Sequence, residues 1–341
     1  MCQRDSRPAK RASIDSILAG LVVLAMHTKS GGEVGASTLR SGSPSRAGKI
    51  HHRRSGRISL TPYLFILPAA IVYGVFSFYP MVASMILGFF KWEGVWPTGQ
   101  FVGFKHYVHV LKDPHFWNGL SHNLIFLCLA VIIPVAVGLF LAIFLAEISH
   151  GRTFFRALLF LPCIFSGVVV AYVWKWIYHP FAGVLNGVLD ALGLAALKQS
   201  WLGDPNIALY SCFAAYAWAS FGYSMVIFLA GLQGIEPTIY DAASIDGVSF
   251  WQRIWFITIP SLRQVFTFVI SLRILSAMGI FSVIFTLTGG GPYYATEVME
   301  IYIYQLISQY DLGWATAAAT LQGIIIVGLT MLLMKRSGSE E

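Results

Sequence analysis

Charge is what this 341-residue chain has least of: Asp, Glu, Lys and Arg together make up 11% of it, against roughly a quarter of an ordinary soluble domain. With 56% hydrophobic residues and a mean hydropathy of +0.67, that scarcity excludes a soluble fold of usual composition. It points instead to a chain that crosses a bilayer several times. The formal net charge of +7 does not reopen nucleic acid as a partner, because eleven of the 23 Lys and Arg fall in the first 57 residues. The remainder has no basic surface to offer a phosphate backbone.

Cysteine is equally sparse. Of the four, Cys128, Cys163 and Cys212 lie inside apolar runs and Cys2 is near the N-terminus, so no spacing fits a disulfide framework or a zinc site. They read as small core or lipid-facing residues. A phosphate-cradling G-x-x-x-x-G-K-[ST] loop is missing too: the nearest stretch, Gly42 to Ile50, has the wrong spacing and ends in isoleucine. No H-E-x-x-H and no G-x-S-x-G elbow occurs, and His51-His52 reads as part of a basic tail. The expectation is a chain that is not an enzyme and binds no metal or cofactor of its own. Acids are nearly absent from the apolar runs, Glu147 standing at the end of one. A self-contained channel or secondary carrier is the rival from another class, and would need ion-coupling charges or an inverted repeat. A membrane enzyme is a second rival, and would need catalytic side chains clustered at one face.

What is present is a set of long apolar runs. A helix needs about 20 residues to cross the hydrocarbon core, and six runs qualify: Pro62 to Phe90, Asn123 to Ala146, Thr153 to Tyr178, Ile207 to Gln233, Leu262 to Thr288 and Gly313 to Met334. Pro68, Pro80, Pro134 and Pro162 fall within them, which a bundle tolerates where neighbours satisfy the freed carbonyls. Lys and Arg in alternate loops count seventeen against five, with Arg273 set aside mid-span. Both termini and the 234–261 segment are therefore expected in the cytoplasm. Trp174, Trp176 and Tyr178 around Lys175 read as an interfacial belt at the outer end of the third span.

Residues 1–61 are rich in Ser, Gly, Arg and His and read as a disordered basic cytoplasmic segment. The apolar run Ile14 to Met26 is too short to span. A signal peptide would need a small-residue cleavage site that does not follow, and a translation start further downstream is a third reading. The first helix is expected over 62–90, the rest of the bundle over 119–334, and a short tail over 335–341.

One stretch between the apolar runs, "DAASIDGVSFWQRIWFITIP" from Asp241 to Pro260, is neither greasy nor an obvious loop. Pro237 starts a helix that stops at Gly247, a natural C-cap. A second starts at Ser249, places Phe250, Trp251 and Ile254 on one face, and ends at Ile259-Pro260. Ala242 and Ala243 are expected to form a flat surface that another protein can approach closely, filling a groove on a soluble partner; an amphipathic connector is the plainer alternative. The spacing D-A-A-x-x-D-G, nine residues, I-x-I-P resembles the E-A-A-x-x-x-G-x9-I-x-L-P motif in permeases of bacterial binding-protein-dependent ABC importers. Asp241 stands in place of the usual glutamate and Ile259 in place of leucine. The resemblance runs from about Pro62 to Met334. "FVGFKHYVHVLKDPHFWNGLSHNLIF" and "LTGGGPYYATEVMEIYIYQ" look like the carbohydrate-importing branch, similar to the first of its two permease subunits.

The resemblance implies an all-α, multi-pass inner-membrane protein: a six-helix bundle of the type I ABC importer permease kind with a coupling helix. Its partners would be a second permease, an ABC ATPase dimer that binds ATP and Mg, an extracytoplasmic solute-binding protein and the bilayer. The substrate would be a sugar, with glycerol 3-phosphate or another polar solute as the alternative. Asp241, Ala242, Ala243, Asp246, Gly247, Ile257 and Pro260 would form the ATPase-coupling loop. For the solute path the residues themselves offer Arg273, which cannot face lipid cheaply and marks either a polar cavity or a hydrogen-bonded place in the bundle. Ser271, Ser276, Asn123, Ser220 and Tyr223 could line such a path, and Trp218 or Phe221 could stack on a sugar. The acids Glu297, Glu300 and Asp311 between Gly289 and Leu312 read as a solvated outer loop or a docking surface.

Overall fold

The computed structural model describes residues 61–92, 99–148 and 150–338. The N-terminal segment, His51-His52 and residues 339–341 lie outside the described residues. Among the described residues the chain is helical, with one isolated bridge between Phe90 and Phe101 and no strand.

Helix α1 (Thr61–Tyr73) continues through a π turn, Gly74–Phe78, into α2 (Tyr79–Leu87). Pro80 accounts for the turn: it has no N–H and its ring crowds the carbonyl four residues back, so the helix widens by one residue ahead of it. The Tyr79 N–H accordingly donates to the Gly74 carbonyl, five back. After the short α3 (Lys105–Lys112) comes α4 (Pro114–Glu147). Its 34 residues are about 51 Å long at 1.5 Å per residue, more than a bilayer core requires. The Asp113 carboxylate caps it, accepting the His115 N–H at 2.9 Å, with proline in the first turn.

The expected third span is not one helix. α5 (Arg152–Phe160) tightens into a 3-10 turn at Leu161–Ile164, and the chain then bends by 95° into α6 (Gly167–Ile177). The Ser166 hydroxyl caps α6. The expected aromatic belt is divided: Trp176 is exposed, whereas Tyr178 is buried and donates to the Ser211 carbonyl at 3.0 Å. Past α7 (Val184–Ala191), α8 (Ala208–Gln233) packs along α4. Gly138 permits that approach, because a Cβ there would meet the Ser224 Cβ at 2.6 Å.

The expected fifth span also breaks. α9 (Pro237–Ile245) and α10 (Phe250–Arg253) precede a π turn, Ile254–Thr258, and α11 (Ile259–Ser261); a 71° bend leads into α12 (Arg263–Met278). The second loop helix therefore runs through Ile259-Pro260 rather than ending there, and Pro260 follows its π turn as Pro80 follows the first. α12 stops at Met278 ahead of Gly279, and α13 (Ser282–Leu287) is separate from it. The chain then folds back through α14 (Met299–Ser308) before α15 (Leu312–Gly338). Among the described residues four helices are long and apolar enough to cross a membrane, and up to six segments are if each bent pair counts as one span.

Three apolar clusters hold the bundle. Phe126, Cys212, Ala277 and Ile284 centre one; Phe116, Met299 and Tyr302 a second; and Leu145, Phe228 and Leu262 a third, toward the 234–261 loop. The apolar window of the first span has no buried residue, and α2 leans on α15, beside which Tyr107 donates to the Met85 carbonyl at 3.3 Å. The loop over 289–312 departs from its reading as a solvated segment. Glu297 is fully buried, its Oε2 meeting His115 Nδ1 at 3.0 Å and accepting from the Asn118 amide at 3.2 Å.

Candidate functional site

The 234–261 segment is two short helices held at an elbow by main-chain bonds. Asp246 ends α9, Gly247 takes the left-handed conformation at φ +70°, and the chain reverses. The Gly247 N–H donates to the Ser244 carbonyl at 3.3 Å and the Val248 N–H to the Ala243 carbonyl at 3.0 Å, the paired bonds of a Schellman C-cap. Two residues on, Ser249 and Gln252 close a capping box: the Ser249 N–H donates to the Gln252 side chain at 2.9 Å and its hydroxyl accepts the Gln252 N–H.

Asp241, Ala242, Ile245 and Asp246 share the outward side of α9, and Ile245 is 86% exposed. Ala243 is buried, so it does not form a flat surface with Ala242: adjacent helical residues are about 100° apart, and one faces out while the other packs in. The expected aromatic face of α10 is likewise reduced to Ile254, since Phe250 and Trp251 remain exposed. Ile257 is half-buried and Pro260 exposed.

Arg253 braces the elbow against the bundle. Its Nη2 meets Glu147 Oε1, at the end of α4, at 2.5 Å, and its guanidinium lies 5.7 Å from the Tyr240 ring and 5.5 Å from that of Phe250. The Tyr240 hydroxyl and Thr258 Oγ1 are 3.3 Å apart. These groups line a cavity of about 240 Å³ between α4, α8 and the loop. Arg253, Glu147 and Tyr240 were not among the residues marked from the sequence. Nothing in their spacing, 106 residues from Glu147 to Arg253, announces the pairing.

The second site lies between α8 and α12. Tyr216, Ser220 and Tyr223 form one stripe of α8 at i, i+4 and i+7, and Arg273 and Ser276 form another on α12. The Arg273 guanidinium is buried and lies 5.8 Å from the Tyr223 ring. It gathers with the hydroxyls of Ser220 and Ser276 around the Tyr216 hydroxyl. Among the described residues no hydrogen bond of good geometry reaches that hydroxyl or Arg273 Nε, although both are buried. Tyr223 and Ser276 are exposed, so the cluster reaches the surface of the chain. Tyr216 was missed at the sequence level, where one tyrosine of fifteen does not stand out.

The other two expected path residues are elsewhere. Asn123 is fully buried, its amide donating to the Ala277 and Met278 carbonyls at 3.1 and 3.2 Å and its oxygen accepting the Met299 N–H at 2.7 Å. It clamps the broken end of α12 to α14 and is buried out of a solute's reach. Ser271 donates to its own helix, at the Thr267 carbonyl, and sits about 200° around α12 from Arg273.

Residues 135–337 match the model of the family described as binding-protein-dependent transport system inner membrane component. A probable ABC transporter permease, YurN of Bacillus subtilis, is 33% identical over 83% of this chain and 98% of its own length. The lactose transport system permease LacF of Rhizobium radiobacter is 33% identical over 79% and 90%, and the trehalose/maltose transport system permease MalF of Thermococcus litoralis 30% over 80% and 92%. Among solved structures, a chain of a bacterial ABC transporter that imports the acidic polysaccharide alginate shares the fold, with a TM-score of 0.72 at 24% identity over 82% of this chain and 95% of that one. A family match across most of the bundle and relatives aligned along nearly their whole lengths lead to one conclusion: this chain belongs to the inner membrane components of binding-protein-dependent transport systems.

Proposed function

We propose that this permease forms half of the path through which an ATP-driven importer takes up a sugar, delivered by an extracytoplasmic solute-binding protein. Hydrolysis belongs to a partner ATPase dimer, and a second permease completes the path. The 234–261 elbow faces the cytoplasm as the docking element, together with both termini. The sugar-transporting relatives LacF and MalF support the substrate class. The observation that carries the reading is the elbow itself: an exposed Ile245 flanked by acids on α9, fixed to the bundle through Arg253 and Glu147.

Closure of the ATPase dimer would push on Ile245 and its neighbours, and the Gly247 turn and the Arg253 brace would pass that displacement to α4 and α12 as one body. This is the physical content of coupling between sites: one bistable element that both sites bias.

Reconstituted vesicles holding both permeases, the ATPase and the binding protein test it. Uptake should require ATP and the ATPase, and Ile245→Asp should abolish it while the chain still inserts. Gly247→Asp should weaken the turn and uncouple transport. A charge at Ala242 should block docking alone, whereas a charge at Ala243 should also disturb the packing of α9. Sugar uptake without the ATPase, or wild-type uptake by Ile245→Asp, would overturn the assignment.

A further inference from the structure

Arg273 is a cation without a counter-charge among the described residues. Its side chain is 4% exposed, and the ion pairs among the described residues join Glu297 to His115, Asp190 to Lys198 and Glu147 to Arg253, leaving Arg273 in none. Neither α8 nor α12 contains Asp or Glu, and α4 has only Glu147, at its last residue. Burying an isolated guanidinium is costly, and proteins pair such a charge with an anion. Within a spanning segment an unpaired ionisable group of this kind marks a functional site.

The surroundings of the charge are those of a receptor. Among the described residues Arg273 Nε is buried with no acceptor, and the buried Tyr216 hydroxyl beside it makes no hydrogen bond of good geometry. Ser220 and Ser276 add hydroxyls, and Tyr223 supplies an exposed ring over which the guanidinium lies. A guanidinium fork offers parallel N–H donors that fit a planar or tetrahedral oxyanion, and hydrogen bonds to a charged group are about twice as strong as neutral ones. A neutral sugar hydroxyl would satisfy the donors but leave the charge uncompensated.

We propose that the solute carried by this permease is an oxyanion-bearing saccharide, received in transit by Arg273 and the Tyr216 hydroxyl, while Tyr223 packs against its ring. This rests on the importer reading above and names the substrate class within it. The chemistry is common to a uronate carboxylate and a sugar phosphate.

The test measures binding to the purified permease–ATPase complex without the solute-binding protein, so that the selectivity of that protein does not enter. Three probes are compared: a uronate oligosaccharide, a sugar phosphate and a neutral oligosaccharide of the same length. At least one anionic probe should bind about tenfold or more tightly than the neutral one, the size expected of a charge-assisted hydrogen bond. Which of the two binds identifies the oxyanion. Arg273→Gln should erase the preference, Arg273→Lys should keep part of it, and Tyr216→Phe, which preserves the ring packing, should lower anion affinity several-fold. Equal binding of neutral and anionic probes, or a preference that survives Arg273→Gln, would overturn the inference while the importer reading stands. So would dissociation of the two permeases in Arg273→Gln, because the counter-charge would then belong to the second permease. If no saccharide of any charge binds or enters with ATP, the importer reading for sugars falls and the inference with it.

Discussion

Two buried polar clusters sit on the same helix five residues apart, and they are opposites. Around Met278, Asn123 spends its whole side-chain amide on three backbone groups, and Gln322 Nε2 adds a 2.8 Å bond to the Met278 carbonyl. Around Arg273, two buried polar atoms make no hydrogen bond of good geometry among the described residues. The first cluster repairs a broken helix: ending α12 at Met278 frees carbonyls that lipid could not satisfy. The second repairs nothing, and its open valences are left for another molecule. The two clusters differ in saturation, although both read as intramembrane polar residues in the sequence.

That contrast can be broken by mutation, beginning with the largest expected effect. Asn123→Ala should destabilise the solubilised protein by about 3 kcal/mol or more, because several backbone groups lose partners at 1–3 kcal/mol each; a thermal unfolding midpoint unchanged from wild type would erase the distinction. Gln322→Leu should cost less, about 1–2 kcal/mol by the same measurement, since Asn123 still reaches the Met278 carbonyl. Tyr216→Phe should shift stability by less than about 0.5 kcal/mol, because the hydroxyl it deletes makes no hydrogen bond of good geometry. Arg273→Met should leave the midpoint in place or raise it, as replacement of unpaired buried charge by apolar volume often does, while transport of the solute is lost. Arg273→Met that unfolds the bundle would move Arg273 to the structural side of the comparison.

The sequence showed helix ends well and helix breaks poorly. Pro237, Gly247 and Ser249 mark boundaries through local backbone chemistry, and each stands where the capping rules put it. The breaks near Phe165 and after Met278 lie inside unbroken apolar runs, so hydropathy passes over them. What makes them possible is remote: Asn123 is 154 residues from the first carbonyl it holds. The same distance hid Glu297, which reads as a solvated loop acid until His115 is brought to it from 182 residues away. Ala242 and Ala243 look alike as letters, and only the phase of α9 against the bundle decides which one faces out. Four of the six expected path residues, Ser220, Tyr223, Arg273 and Ser276, do converge, because they follow helical spacing on two adjacent elements.

The elbow at Gly247 has a consequence for how such a protein can change. Its angle is set by two main-chain bonds and one capping pair, none of which involves the outward residues Asp241, Ala242, Ile245 and Asp246. Shape and address are thus written in separate letters: on the docking role proposed above, the outward four can be rewritten to suit a different partner while the elbow that carries them keeps its form. A permease built this way could exchange its ATPase over evolutionary time, or in an engineered chimera, by substitutions on a single helical face.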